Sequence, residues 1–173
     1  MYKRQIKKGI NFFPVKEGYK ILYLGFASGK TASFFSDIVG EKGLIYGVEI
    51  SGRMLREAFP MIEKRGNIIP ILGDARKPEE YKHLILENVD LVYEDIADPD
   101  QIKILLRNAG TFLKKNGYAM IAIKSQSIDV TKPPKVVYRE CIDEIKRKFV
   151  IMNKVELDPY ERHHLFLVLQ FKG

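Results

Sequence analysis

A carboxylate, an amine and a pair of imidazoles stand at the borders of apolar runs in this chain. They are Asp95 in "YEDIADPD", Lys124 in "AIKSQS", and His163 and His164 in "PYERHHLFLV". A carboxylate beside a lysine can hold that amine near a substrate hydroxyl, and the two can share the proton as the hydroxyl attacks an electrophile. The plainer alternative is a surface ion pair worth under about 1 kcal/mol. Glu49 and Asp74 also close apolar runs, in "GVEI" and "GDAR". At such places one acid can hold both hydroxyls of a ribose and the other can lie near a base. Either alone reads as a solvated loop carboxylate, because charged side chains are mostly exposed. Glu49, Asp74 and Asp95 together make an acidic rim that repels phosphate, which favours an adenosyl ligand without phosphates. "YLGFASGK" adds Gly25 and Gly29 at a spacing looser than G-x-G-x-x-G. Glycines there let the backbone approach a ligand at a helix N-terminus, or serve only a tight turn. His83 falls on the exposed side of a helical pattern and is expected to be inert. No Cys/His cluster has metal-ligand spacing, and neither a Walker nor a G-x-S-x-G motif occurs, so no metal site is expected.

These groups can meet only if the elements deliver them to one edge. Five runs, "KILYLGF" (20–26), "GLIYGVEI" (43–50), "NIIPILG" (67–73), "VDLVYED" (89–95) and "YAMIAIK" (118–124), lack polar alternation and read as parallel strands covered on both faces. Amphipathic stretches at 31–39, 52–65, 79–87 and 100–115 are long enough for crossover helices, and a fifth helix is expected over 135–148. Ser51 and Gly66 bound the second helix, Pro60 should kink it, and Asp98-Pro99 should start the fourth. "FVIMNKVEL" (149–157) alternates as an outer strand would, and a short turn joins it to "HLFLVLQF". Strands joined so tightly are antiparallel, and the last, apolar on both faces, belongs inside the sheet. The pattern is therefore α/β, with ligands expected outside the carboxyl ends of the parallel strands. The reversed last strand brings its amino end, and the histidine pair, to that same edge. Consecutive strand residues face opposite sides, so at most one of His163 and His164 can face a ligand, and the pattern leaves open which.

A length of 173 residues with 46% hydrophobic content suits one domain over 1–173, with a basic segment at 1–18 leading into the sheet. A formal charge of +7 favours an anionic partner such as nucleic acid. The single Cys141 lies in an apolar helical pattern and reads as a buried thiol. No signal peptide or membrane-length apolar run is evident, so a soluble, intracellular protein is expected.

Together "ILYLGFASGKTASFFSDIVGEKGLIYGVE", "NIIPILGDARKPEEY", "EDIADPDQ", "IAIKSQSIDVT" and "DPYERHHLF" strongly resemble fibrillarin, especially its archaeal forms. The resemblance implies a Rossmann-like class I S-adenosylmethionine-dependent methyltransferase fold: a seven-stranded, mostly parallel sheet with the last strand antiparallel and helices on both faces. It further implies 2'-O-methylation of ribose in rRNA or tRNA, in cytoplasm, directed by a box C/D guide RNA. The partners would be a Nop-domain scaffold protein and a kink-turn-binding protein of ribosomal type. Carried onto this chain, the cofactor site would use Gly25, Ser28 and Gly29, then Lys30 and Thr31, with Glu49 and Ile50 at the ribose. Asp74 and Ala75 would meet the adenine, and Asp95, Ile96, Ala97 and Asp98 the methionine end. Of the family's catalytic Lys, Asp, Lys, His set, Asp95, Lys124 and His164 fall on the last three, while His163 replaces the usual Asp. Ungapped alignment puts the first lysine on Met1. Three readings follow: Lys3 takes its place through a local shift, the polypeptide begins earlier, or the chain is a non-catalytic subunit that keeps the cofactor. Lys30 and Asp98 stand where Thr and Gln are usual. RNA contact is expected to be electrostatic, through Lys3, Arg4, Lys7, Lys8, Lys132 and Lys135.

Overall fold

In the computed structural model, which describes residues 9–173, all the runs expected to be strands are strands. They are β1 (Lys20–Leu24), β2 (Leu44–Glu49), β3 (Ile68–Leu72), β4 (Val89–Glu94), β5 (Leu113–Lys124), β6 (Phe149–Glu156) and β7 (His164–Phe171). They form a seven-stranded sheet in the order β3-β2-β1-β4-β5-β7-β6. Neighbours from β3 through β5 are parallel, whereas β7 runs antiparallel to both β5 and β6. The strand order reverses beside β1, whose neighbours are β2 and β4, and a crevice opens at such a switch point beyond the carboxyl ends.

The helices are α1 (Lys30–Val39), α2 (Gly52–Arg65), α3 (Pro78–Tyr81), α4 (Gln101–Phe112), α5 (Ser125–Ile128) and α6 (Pro134–Ile145), with one 3₁₀ turn at Lys82–Leu84. Each strand splits its apolar residues between two layers. Tyr23, Tyr93, Met120 and Phe166 pack with Phe35 of α1 and Ala58 of α2. Leu24, Val92, Ile121 and Leu167 pack with Leu105 of α4 and Cys141 of α6 on the other face. Ser51 caps α2 by accepting the Met54 N–H at 3.3 Å, Gly66 closes it at φ 71°, and the helix continues through Pro60.

Several boundaries differ from expectation for local reasons. Asp98-Pro99 does not open α4: the Asp98 carboxylate accepts the Asp100 N–H at 2.8 Å in a turn, and the helix begins at Gln101. The helix expected over 79–87 shortens to α3 and the 3₁₀ turn, because Leu84 and Leu86 face outward and only Tyr81 and Ile85 reach the core. α4 ends at Phe112, three residues before the expected boundary, and β5 begins at once. Its early part bends at Asn116 (φ 61°), where the β4 register shifts. α6 ends at Ile145, and the single-turn α5 had no periodic signal.

Gly47 gives the first turn its seat. A Cβ there would overlap the ring of Phe26, a buried residue of the turn after β1. Gly47→Ala should therefore lower stability by about 1–3 kcal/mol through overpacking, read as a lower denaturant midpoint at unchanged slope. An unchanged midpoint would mean that the ring can simply move aside.

Candidate active site

β4 ends at Glu94, and the chain turns away with the Asp95 N–H still donating to the Leu24 carbonyl at 3.1 Å. The pleat decides what faces what. Asp95 continues the row of Leu91 and Tyr93, Lys124 that of Met120 and Ala122, and His164 that of Phe166 and Val168. The apolar members of the three rows belong to one core layer. The Lys124 ammonium lies 2.9 Å from Asp95 Oδ1 and donates to the Asp95 carbonyl at 3.1 Å. The one ammonium thus meets both the carboxylate and the backbone carbonyl of Asp95. The two side chains are 19% and 17% exposed, so this is no fully solvated surface pair. Burial holds the Asp95 carboxyl above its usual range, against the downward pull of Lys124.

Lys124 and His164 are register partners across β5 and β7, so of the two histidines it is His164 that lies opposite Lys124. His164 Nδ1 lies 2.8 Å from the Arg162 carbonyl. Only a protonated Nδ1 can pair with a carbonyl, so in the neutral ring Nε2 carries the lone pair. His163 instead sits exposed in the turn at φ 62°, and its carbonyl accepts the N–H and the hydroxyl of Ser125, each at 3.1 Å.

Beside the ion pair lies a cleft of about 360 Å³ at the switch point. Gly25, Glu49, Ile50, Asp74 and Ala75 line it, as do Asp95 through Asp98 and Lys124. Gly25 has φ 79°, and a Cβ there would press within 3.0 Å of the Asp95 carbonyl, so only glycine suits both backbone and space. The Glu49 carboxylate is pinned by backbone: Oε2 accepts the Ala27 N–H at 2.7 Å and Oε1 the Ser51 N–H at 2.9 Å. Its remaining lone pairs can still meet a diol.

Ser28, Gly29, Lys30 and Thr31 stand outside this lining. Gly29 is the N-cap of α1, closed in by Phe26 and Met61, and the Thr31 hydroxyl bonds that of buried Tyr23. Arg76 is a lining residue that sequence reasoning missed. Its guanidinium lies 2.9 Å from Asp74 and 3.7 Å from Asp98, bridging two lips of the cleft, and holds the Asp74 carboxyl below its usual range. The acidic rim suits a cationic ligand without phosphate, and the cleft holds both a carboxylate for a ribose and small residues for a flat base.

Lys132 is ion-paired with Glu140 at 2.8 Å and with Asp129 at 3.7 Å, so a phosphate would have to compete for it. Lys135 lies on a surface groove with Arg139, Lys146 and Lys154. Lys3, Arg4, Lys7 and Lys8, with Met1, lie outside the described residues. Among the described residues no helix is long and apolar enough to cross a membrane, and no group of three or more His, Cys, Asp or Glu could hold a metal ion.

Comparison with known proteins assigns the lineage of this arrangement. The fibrillarin family model matches residues 3–173. The chain belongs to the fibrillarin family. It is 53% identical over 165 residues, 95% of its length and 72% of the relative's, to the fibrillarin-like rRNA/tRNA 2'-O-methyltransferase of Pyrococcus furiosus. It is similar to Aeropyrum pernix fibrillarin solved with natively bound S-adenosyl-L-methionine, with TM-score 0.88 and 47% identity over 97% of this chain and 73% of that one. A fibrillarin/Nop5p complex gives TM-score 0.92 and 40% identity, covering 97% of this chain and 79% of that one. The fold of this chain is that of a Rossmann-like S-adenosylmethionine-dependent methyltransferase, as the resemblance implied.

One acid of this chain faces away from the cleft. Glu94, on the opposite side of β4 from Asp95, is 0% exposed, and neither carboxylate oxygen has a hydrogen-bond partner. Burial, reinforced by Asp98 and Asp95, pushes its carboxyl well above the usual range despite Lys124. Such a group binds its proton more tightly folded than unfolded, so it costs stability as pH rises above the unfolded value near 4.5. Relative to wild type, Glu94→Gln should gain stability with rising pH, by up to about 1.4 kcal/mol per unit, and show no relative change below that value. Denaturant titrations across the pH series would check this, and parallel curves throughout would contradict it.

Proposed function

We propose that this chain is an RNA ribose 2'-O-methyltransferase that uses S-adenosylmethionine and is directed to its target by a box C/D guide RNA. The reading assigns it a cytoplasmic particle with a Nop-domain scaffold and a kink-turn-binding protein. The observation that carries the chemistry is the partly buried Asp95–Lys124 pair, with His164 in register beside it, at the edge of a phosphate-repelling cleft.

In this reading Glu49 holds the cofactor ribose, and Asp74 and Ala75 border the adenine. Asp95 and the loop through Asp98 face the methionine end, where their negative charge favours a cation. Bound there, the cofactor supplies an electrophilic methyl carbon on a sulfonium. The chain's own task is to align a ribose hydroxyl and remove its proton. Lys124 meets that hydroxyl, held in place by Asp95. His164 presents Nε2 to support the hydroxyl or relay its proton, because Nδ1 is committed to Arg162. Family membership supports RNA as the substrate, as does the likeness to a relative named for rRNA and tRNA methylation. The likeness to a fibrillarin solved with Nop5p supports a scaffold partner.

The test is transfer of a labelled methyl group to guide-matched RNA in the reconstituted particle. Lys124→Ala should reduce turnover by about 10²- to 10⁴-fold, the range for removing an acid–base group, while cofactor binding persists. Transfer left intact by that substitution would refute the mechanism. RNA binding by the wild-type chain should weaken steeply as salt rises, and salt-insensitive binding would count against a phosphate-contacting surface.

A further inference from the structure

The pairing of β4 with β5 ends at Glu94 opposite Ile121, yet β5 runs on to Lys124. In a parallel ladder, a residue donates its N–H to the carbonyl just before its partner and accepts the N–H just after it. For Ile123, those two groups are the Ala122 carbonyl and the Lys124 N–H. The residue due opposite Ile123, Ile96, has already left with the loop. Both groups are nevertheless satisfied, by a single side chain. Gln101 Nε2 donates to the Ala122 carbonyl at 3.1 Å, and Gln101 Oε1 accepts the Lys124 N–H at 2.9 Å. The same Nε2 reaches the Ile96 carbonyl at 3.4 Å, tying the departing loop to the end of β5. Gln101 is 0% exposed and opens α4, so the packing of Ile102 and Leu105 fixes where the amide sits.

We infer that Gln101 is a positioning residue for Lys124: its carboxamide replaces the missing strand and sets the backbone point from which Nζ reaches Asp95. This rests on the methyltransfer reading and adds to it a residue outside the cleft lining. On its other side Lys124 is held by β7, through the register with His164 and the Ser125–His163 bonds. Gln101 therefore supplies the half of the clamp that the sheet cannot. A carboxamide suits this place because it offers one donor and one acceptor side by side, as a peptide group does. An ionised carboxylate offers acceptors only and would set one against the Ala122 carbonyl.

The test compares Gln101→Leu and Gln101→Glu with wild type in the reconstituted particle, recording cofactor affinity, kcat and its pH profile. Gln101→Leu should lower kcat by about 10- to 100-fold, the scale of a misplaced reacting group, with cofactor affinity little changed. Gln101→Glu should regain activity toward low pH, where the introduced carboxyl is protonated and again both donates and accepts. A readout independent of turnover is competitive labelling of Lys124 by acetic anhydride in the full chain, scored by mass spectrometry. Labelling should be faster in Gln101→Leu than in wild type, since the ammonium is no longer held against Asp95. The inference is overturned if Lys124 labels identically in the two proteins. It is equally overturned if kcat is unchanged, or falls only in step with cofactor affinity. Should wild type show no ribose methylation, the functional reading fails, and the labelling comparison still decides the positioning role.

Discussion

A partly buried ion pair at the end of two strands is the constraint around which the rest is arranged. Taking Asp95 and Lys124 from water costs both of them hydration, and the pair persists only if backbone and side chains supply the missing partners. The Asp95 N–H is satisfied by β1, and the Asp95 carbonyl accepts from Lys124 itself. Gln101 takes the Lys124 N–H. Below the pair, Tyr23 and Tyr93 pack with ring centroids 4.6 Å apart, and Phe35 lies 4.9 Å from Tyr93, so the floor is closely packed and aromatic. Close packing matters because a reacting group displaced by an ångström loses much of its effect.

The pleat partitions charge across β4. Asp95 faces the cleft and keeps a cation beside it, while Glu94 faces the other layer with no hydrogen-bond partner and its proton tightly held. Two adjacent acids thus meet different surroundings because a strand sends neighbouring side chains to opposite sides. Across the cleft Arg76 offsets part of the acidic rim formed by Asp74 and Asp98, Lys124 offsets Asp95, and two backbone N–H groups meet the Glu49 carboxylate.

Much of this was legible in the residues because it follows from period and placement. Apolar runs without alternation became parallel strands, and Asp95, Lys124 and His164 met because strand ends share an edge. The strand pattern alone left His163 and His164 open and the family resemblance pointed to His164; the turn geometry adds the physical reason, with His163 in a left-handed conformation and His164 opposite Lys124. Gln101 was invisible for a related reason. A helix started at Pro99, two residues before its actual start at Gln101, makes a glutamine look like one more polar surface residue. Arg76 reads as a solvated loop cation until two loops distant in sequence are seen to face each other. Gly47 shows no signal in its own strand, because its meaning lies in the Phe26 ring laid over it.

The central claim is that the edge formed by Asp95, Lys124 and His164 acts on a ribose hydroxyl chosen by a guide. The most direct measurement is methyl transfer by the reconstituted particle to two target RNAs that differ only by a 2'-deoxy substitution at the guide-specified nucleotide. The account predicts stoichiometric labelling of the ribose target, none of the 2'-deoxy target, and none of either without guide. Equal labelling of both RNAs, or labelling that ignores the guide, would contradict it.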